Sequence, residues 1–155
     1  MTPSHNQLGL VRKIAIGLEV LFELMLATVA TRLPSRWYFR FYRLHMYTDH
    51  DRVPAVTNTS LYAIRIGRAV ARIAAIIPLR CVCLQQSLAT HRMIRRRGLS
   101  PVILFGLRTA STISLPDAKR TPEDPTAHAW VMVGEKIING ARIDLDEYIV
   151  VGKYH

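Results

Sequence analysis

Two blocks of the chain carry side chains able to make and break covalent bonds. Cys83-Leu84-Gln85-Gln86-Ser87-Leu88-Ala89 opens a helix-forming run that closes at Arg95-Arg96-Arg97-Gly98. Ala127-His128-Ala129-Trp130-Val131 reads as a strand leading into a Gly134-Glu135 turn. A thiol in the first turn of a helix meets unpaired amide groups and the positive end of the helix dipole, and both stabilise the thiolate. An imidazole held on a strand can act as its base, and the two together are the parts of a cysteine nucleophile site. Each residue also has a plainer reading. Cys83 can be a small buried apolar side chain, as cysteine often is, and His128 can be an edge residue bonding a carbonyl. Cys81 shares the plainer reading and precedes the helix. No motif surrounds the other histidines.

A nucleophile–base pair needs a third group to orient the imidazole. With a two-residue turn at Gly134-Glu135, Trp130 faces Asn139 and His128 faces Ala141. Asn139 then shares the sheet face of His128, one diagonal step away. Asp144 is the downstream alternative and requires the chain to curl back; Asp146 reads as a solvent-exposed residue.

The elements that must position these groups follow from pattern and breakers. Residues 1–9 read as a tail. A first helix is expected from about Leu10 to Leu33, ended by Pro34, and a second from Ser35, as N-cap, to about Tyr47. Thr48–Ser60 reads as a loop. A third helix, about Leu61–Ile76, sets Arg65, Arg68 and Arg72 on one face. The Cys83 helix runs from about Val82 to Arg97, with Gly98 as its terminating glycine and its cations in the last turns. Pro101–Leu107 is rich enough in Val, Ile and Phe to be a strand. Thr109–Thr126, with three prolines, reads as a long loop. Ala127–Val133 and Lys136–Asn139 form a hairpin with glycine first in the turn, as a type II′ turn prefers, and Glu147–Val151 is a last strand. Helices first, then one helix packed on a small antiparallel sheet, make the chain α+β. The expected division is an N-terminal helical extension, 1–60, and a domain over 61–155.

Bulk composition narrows the function. At 155 residues, half of them apolar, the chain can bury a real core. Its two cysteines stand as Cys81-Val82-Cys83, too close for an ordinary disulfide and too few for a zinc site without histidines. Free thiols fit a reducing cytoplasm. The net charge of +10 points to an anionic partner, yet the cations are dispersed and no nucleic-acid module accompanies them. Ile14–Ala30 is strongly apolar, but Glu19 and Glu23 fall on one helical face, where lipid would make them costly. A buried or peripherally docked helix is expected rather than a span, and Arg12-Lys13 with Arg32 to Arg43 would suit an anionic lipid surface.

Taken together, Cys-Leu-x-x-Ser-Leu-Ala at 83–89, the Arg-Arg-Arg-Gly stop at 95–98, Leu104-Phe105-Gly106-Leu107-Arg108 and Ala127-His128-Ala129-Trp130-Val131 resemble the transglutaminase-like cysteine peptidases that process lasso-peptide precursors. The resemblance covers roughly residues 61 to 140, in order, with a longer loop between Arg108 and His128. It implies a transglutaminase-like, papain-like core with apolar helices ahead of it, Cys83 as nucleophile and His128 as base. It implies removal of the leader from a precursor peptide, freeing the core N-terminus for a separate lasso cyclase. It further implies a separate leader-recognition protein, since no strand-rich recognition module is evident, and no cofactor. The family's Asn-Asp pair after the hairpin reads Asn139-Gly140 here, so the acid position holds glycine. Either Asn139 orients His128, or Asp144 substitutes, or the site is impaired and the chain is a membrane- or partner-docked scaffold.

Overall fold

A computed structural model describes residues 5–46, 61–79, 81–108, 126–140 and 148–155, with side chains from residue 11 onward. The expected loop over 48–60 and nearly all of that over 109–126 lie outside this set. Within it the chain forms α1 (His5–Ala30), α2 (Ser35–Phe41), α3 (Leu61–Ile76), α4 (Cys83–Arg95), β1 (Pro101–Arg108), β2 (Ala127–Val133), β3 (Lys136–Asn139) and β4 (Tyr148–Tyr154). The strands make one antiparallel sheet in the order β3-β2-β1-β4. α4 packs on this sheet, and α1 and α3 pack on α4, giving an α+β domain.

The start of α2 differs from expectation. Pro34, not Ser35, is the N-cap: its φ of −52° and extended ψ of 142° suit the cap, and the Trp37 amide donates to its carbonyl at 2.8 Å. The helix also ends at Phe41 instead of reaching Tyr47. Arg43 turns left-handed (φ 52°), its amide donates to the Arg40 carbonyl, and the Leu44 amide donates to the Phe39 carbonyl. This is a Schellman closure with arginine where glycine is usual. It turns Tyr42 and Leu44 inward against Leu88, Ile103 and Val131.

The core explains why α1 is so apolar. Its Val20 and Leu24 join Ile66 and Val70 of α3, Met93 and Ile94 of α4, and Val133 and Ile138 of the hairpin. Gly67 of α3 sits so close to the hairpin that a Cβ there would lie 2.1 Å from the Ile138 carbonyl oxygen. The carboxylates that interrupt the apolar run turn toward α4. Glu23, fully buried, accepts from Arg92 at 3.2 Å and Arg96 at 3.0 Å, and Glu19 pairs with Arg97. The arginine-rich end of α4 is therefore a clamp on α1 as well as a complement to the helix dipole. No helix among the described residues is long and apolar enough to cross a membrane.

The hairpin carries the one register change that matters to the site. β3 pairs with β2 as Val133↔Lys136, Met132↔Ile137 and then Val131↔Asn139, so Ile138 is an extra residue in a bulge. Plain alternation had placed Asn139 opposite Trp130. The bulge moves it opposite Val131, and with it to the helix-facing side of the sheet, because a one-residue slip exchanges faces.

Candidate active site

Cys83 is the first residue of α4, and Val82 ahead of it supplies no side-chain cap. The first-turn amides are thus left to whatever the thiol or a bound group offers. The lead-in is held by Gln86, whose Nε2 donates to the Cys81 carbonyl at 2.8 Å, and by Gln85, whose Nε2 donates to Thr31 of α1 at 3.1 Å. One turn along, the buried Ser87 hydroxyl donates to the Ala129 carbonyl at 3.0 Å. That bond ties the cysteine helix to the strand bearing His128, at the residue next to it. The two thiols have separate fates: Cys81 is buried beside the Thr28 hydroxyl (3.6 Å), whereas Cys83 stays partly accessible.

His128 lies against Trp130, with near-parallel rings 5.9 Å apart, and against Tyr148 at 5.8 Å. Its Nε2 is 3.0 Å from the carbonyl oxygen of Gly140. A carbonyl only accepts, so Nε2 must carry the proton. In the neutral ring Nδ1 is then the basic nitrogen, and it has no other partner among the described residues. The thiol–imidazole interaction therefore falls on Nδ1. It is not yet a well-formed hydrogen bond, and such contacts often tighten only when substrate binds.

The electrostatics of the pair run in the productive direction. Burial pushes the Cys83 thiol up, but the His128 ring, the amides of Ala129 and Leu84, and the imidazole charge outweigh it and hold the thiol below its ordinary value. Burial likewise pushes His128 down, and the neighbouring Cys83 thiol and the bond to the Gly140 carbonyl outweigh that and raise it. Each shift brings the thiol and the imidazole closer in proton affinity, which eases proton transfer from Cys83 to His128.

Of the four candidate residues, the structure brings Cys83 and His128 together. Asn139 does not reach the imidazole, because the bulge has turned it toward α4. There its Nδ2 donates to the Thr90 hydroxyl at 3.1 Å, and its Oδ1 accepts from the Gly140 amide at 2.9 Å. Asp144 lies outside the described residues. The atom on Nε2 is the main-chain oxygen of Gly140, at the position where the resembled family carries its acid. Its conformation explains the glycine. Gly140 has φ +92°, and a Cβ there would lie 2.5 Å from Trp130 Cβ. Thr90, Asn139 and Gly140 thus form a relay from the cysteine helix to the far side of the imidazole. Sequence reasoning missed Gly140 as a partner; the glycine directly after Asn139 was its only sign.

No group of three or more His, Cys, Asp or Glu side chains among the described residues is placed to hold a metal ion. Comparison with known families matches residues 25–152 to the transglutaminase-like superfamily. A search of curated proteins and a search of solved structures each returned no match. The matched span takes in the last turns of α1, then α2, α3, α4, β1, β2, β3 and β4 as far as Gly152, and with them both Cys83 and His128. The chain belongs to the transglutaminase-like superfamily, which includes cysteine peptidases.

Proposed function

We propose that this protein is a cysteine peptidase that removes the leader from a lasso-peptide precursor. The observation that carries an enzymatic reading is the Cys83–His128 pair, with the imidazole proton held on Nε2 by the Gly140 carbonyl. The lasso-precursor substrate is supported by the motifs at 83–89, 95–98, 104–108 and 127–131 and by their order. The free thiols suit a reducing cytoplasm.

The chemistry follows from the geometry. His128 Nδ1 takes the Cys83 proton, and the thiolate attacks the scissile carbonyl, forming a sulfur–carbon bond. The oxyanion is met by first-turn amides of α4, which no side chain caps. The carbon–nitrogen bond breaks as Nδ1–H protonates the leaving amine, leaving a thioester. Water then loses a proton to Nδ1 and attacks the thioester, and the thiolate departs. Throughout, Nε2–H stays on the Gly140 carbonyl, so among the described residues the ring is held in its tautomer and orientation by a main-chain oxygen. That arrangement supports a working site even though the position aligned with the acid holds glycine.

The test is mass spectrometry of a cognate precursor incubated with its recognition protein and this chain. Cys81→Ala, Cys83→Ala and Asn139→Ala are run beside wild type. Leader loss that disappears with Cys83→Ala, survives Cys81→Ala and falls about tenfold or more with Asn139→Ala is expected. A bound but intact precursor in every tube refutes the peptidase and leaves a docking role. A product heavier by an added amine would mean acyl transfer in place of hydrolysis.

A further inference from the structure

One face of α1 packs on the core; the opposite face is apolar and uncovered. Val11, Ile14, Leu18, Phe22, Met25 and Val29 are each more than half exposed. Their spacing of three and four residues puts them in one stripe, about 27 Å long at 1.5 Å per residue. Trp37 and Phe41 of α2 are also more than half exposed. A contiguous apolar surface of this kind marks an interaction site, whereas isolated exposed aliphatics do not.

Charge selects the occupant. Across residues 5–46 the basic side chains are Arg12, Lys13, Arg32, Arg36, Arg40 and Arg43, all exposed. The acidic residues in that span are Glu19 and Glu23, and both are turned inward and neutralised by Arg92 of α4 and by Arg96 and Arg97 just beyond its end. The stripe is thus flanked by cations at both ends with no free carboxylate along it. A second copy would bring two chains of charge +10 together, which self-repulsion opposes. A surface of anionic headgroups over acyl chains matches both parts: apolar side chains enter the chain region, and the long arginines keep their charge among the phosphates. Exposed tryptophan beside the stripe suits the headgroup level.

We propose that the outward face of α1, with Trp37, docks the protein on an anionic phospholipid bilayer, lying on it without crossing it. The docking is independent of the peptidase reading and can be tested without a substrate. The full chain is floated with vesicles of phosphatidylcholine alone and of equimolar phosphatidylcholine and phosphatidylglycerol. Wild type, Phe22→Glu and the triple change Arg32→Gln, Arg36→Gln, Arg40→Gln are compared, with helix content checked by circular dichroism. Wild type is expected to float with the anionic vesicles, less so in high salt. Phe22→Glu, at an exposed site, should weaken partition about tenfold or more. The triple change should abolish the preference for phosphatidylglycerol, each arginine contributing about fivefold. Wild type remaining in the buffer fraction with both vesicle types overturns the proposal. If Phe22→Glu then also turns a dimer into a monomer, the stripe is covered by a second copy.

Discussion

Restoring the carboxylate that the resembled family carries should damage this protein. Gly140→Asp puts a side chain on a residue with φ +92°, where a Cβ lies 2.5 Å from Trp130 Cβ and 3.2 Å from the Ala129 carbonyl oxygen. The left-handed backbone costs about 1–3 kcal/mol for a non-glycine residue. The forced shift of Trp130 or of the β3 end costs about 1–3 kcal/mol more, as overpacking does. The sum, roughly 2–6 kcal/mol, is a large part of the stability of a typical domain. Because Trp130 stacks on His128 and Gly140 bonds to it, the same shift loosens the imidazole. The assay has two readouts: urea unfolding for stability, and the pH dependence of Cys83 alkylation by iodoacetamide for the thiolate. Gly140→Asp is expected to unfold at lower urea and to move the alkylation midpoint up. Gly140→Ala should show much of the same loss, since the Cβ and the φ are shared. An aspartate variant as stable as wild type, with Cys83 as reactive or more so, would sink the argument that the carbonyl holds the histidine and that glycine is required there.

Other consequences follow from the same contacts. Cys83 should alkylate with a midpoint below that of an ordinary thiol, and His128→Ala should move it upward; an unchanged midpoint would show that His128 does not stabilise the thiolate. His91 is buried in α4 with neither ring nitrogen bonded among the described residues, and burial pushes it down to about 3 from 6.5. The unfolded chain therefore binds a proton between those values that the folded chain refuses. Its contribution is fully present above pH 6.5 and is lost as pH falls towards 3, by about 1.4 kcal/mol per pH unit. His91→Leu should flatten the acid limb of unfolding free energy against pH, and an unchanged slope would count against it. Glu23→Gln leaves Arg92 and Arg96 without their buried partner; since both arginines reach solvent, a loss of about 1–3 kcal/mol is expected by urea unfolding. A wild-type midpoint there would mean the clamp does not hold α1.

Much of this fold is legible in the residues themselves. The bounds of α3, the hairpin at 127–139 and the cysteine helix follow from local rules: proline and glycine breakers, period-3.6 and period-2 patterns, and a glycine turn. Cys83 at a helix start and His128 on a strand are such local placements, and the motifs around them carried the superfamily. What local pattern could not supply depended on distant partners. Alternation assumes an unbroken ladder, so it set Asn139 beside the imidazole. The Ile138 bulge, seated where Gly67 of α3 meets the hairpin, sent it to Thr90 instead. Glu19 and Glu23 looked like faults in an apolar helix until Arg92, Arg96 and Arg97, some seventy residues on, closed over them.

The third member of the site shows the division most clearly. Residue types announce side-chain chemistry, so a thiol and an imidazole can be found by reading letters. A carbonyl oxygen belongs to every residue, and nothing in the letters says which one will face a histidine. That was decided by the backbone turn at Gly140, by the close approach of Trp130, and by Asn139 spanning from α4. These are properties of packed elements, and they exist only once the chain has folded.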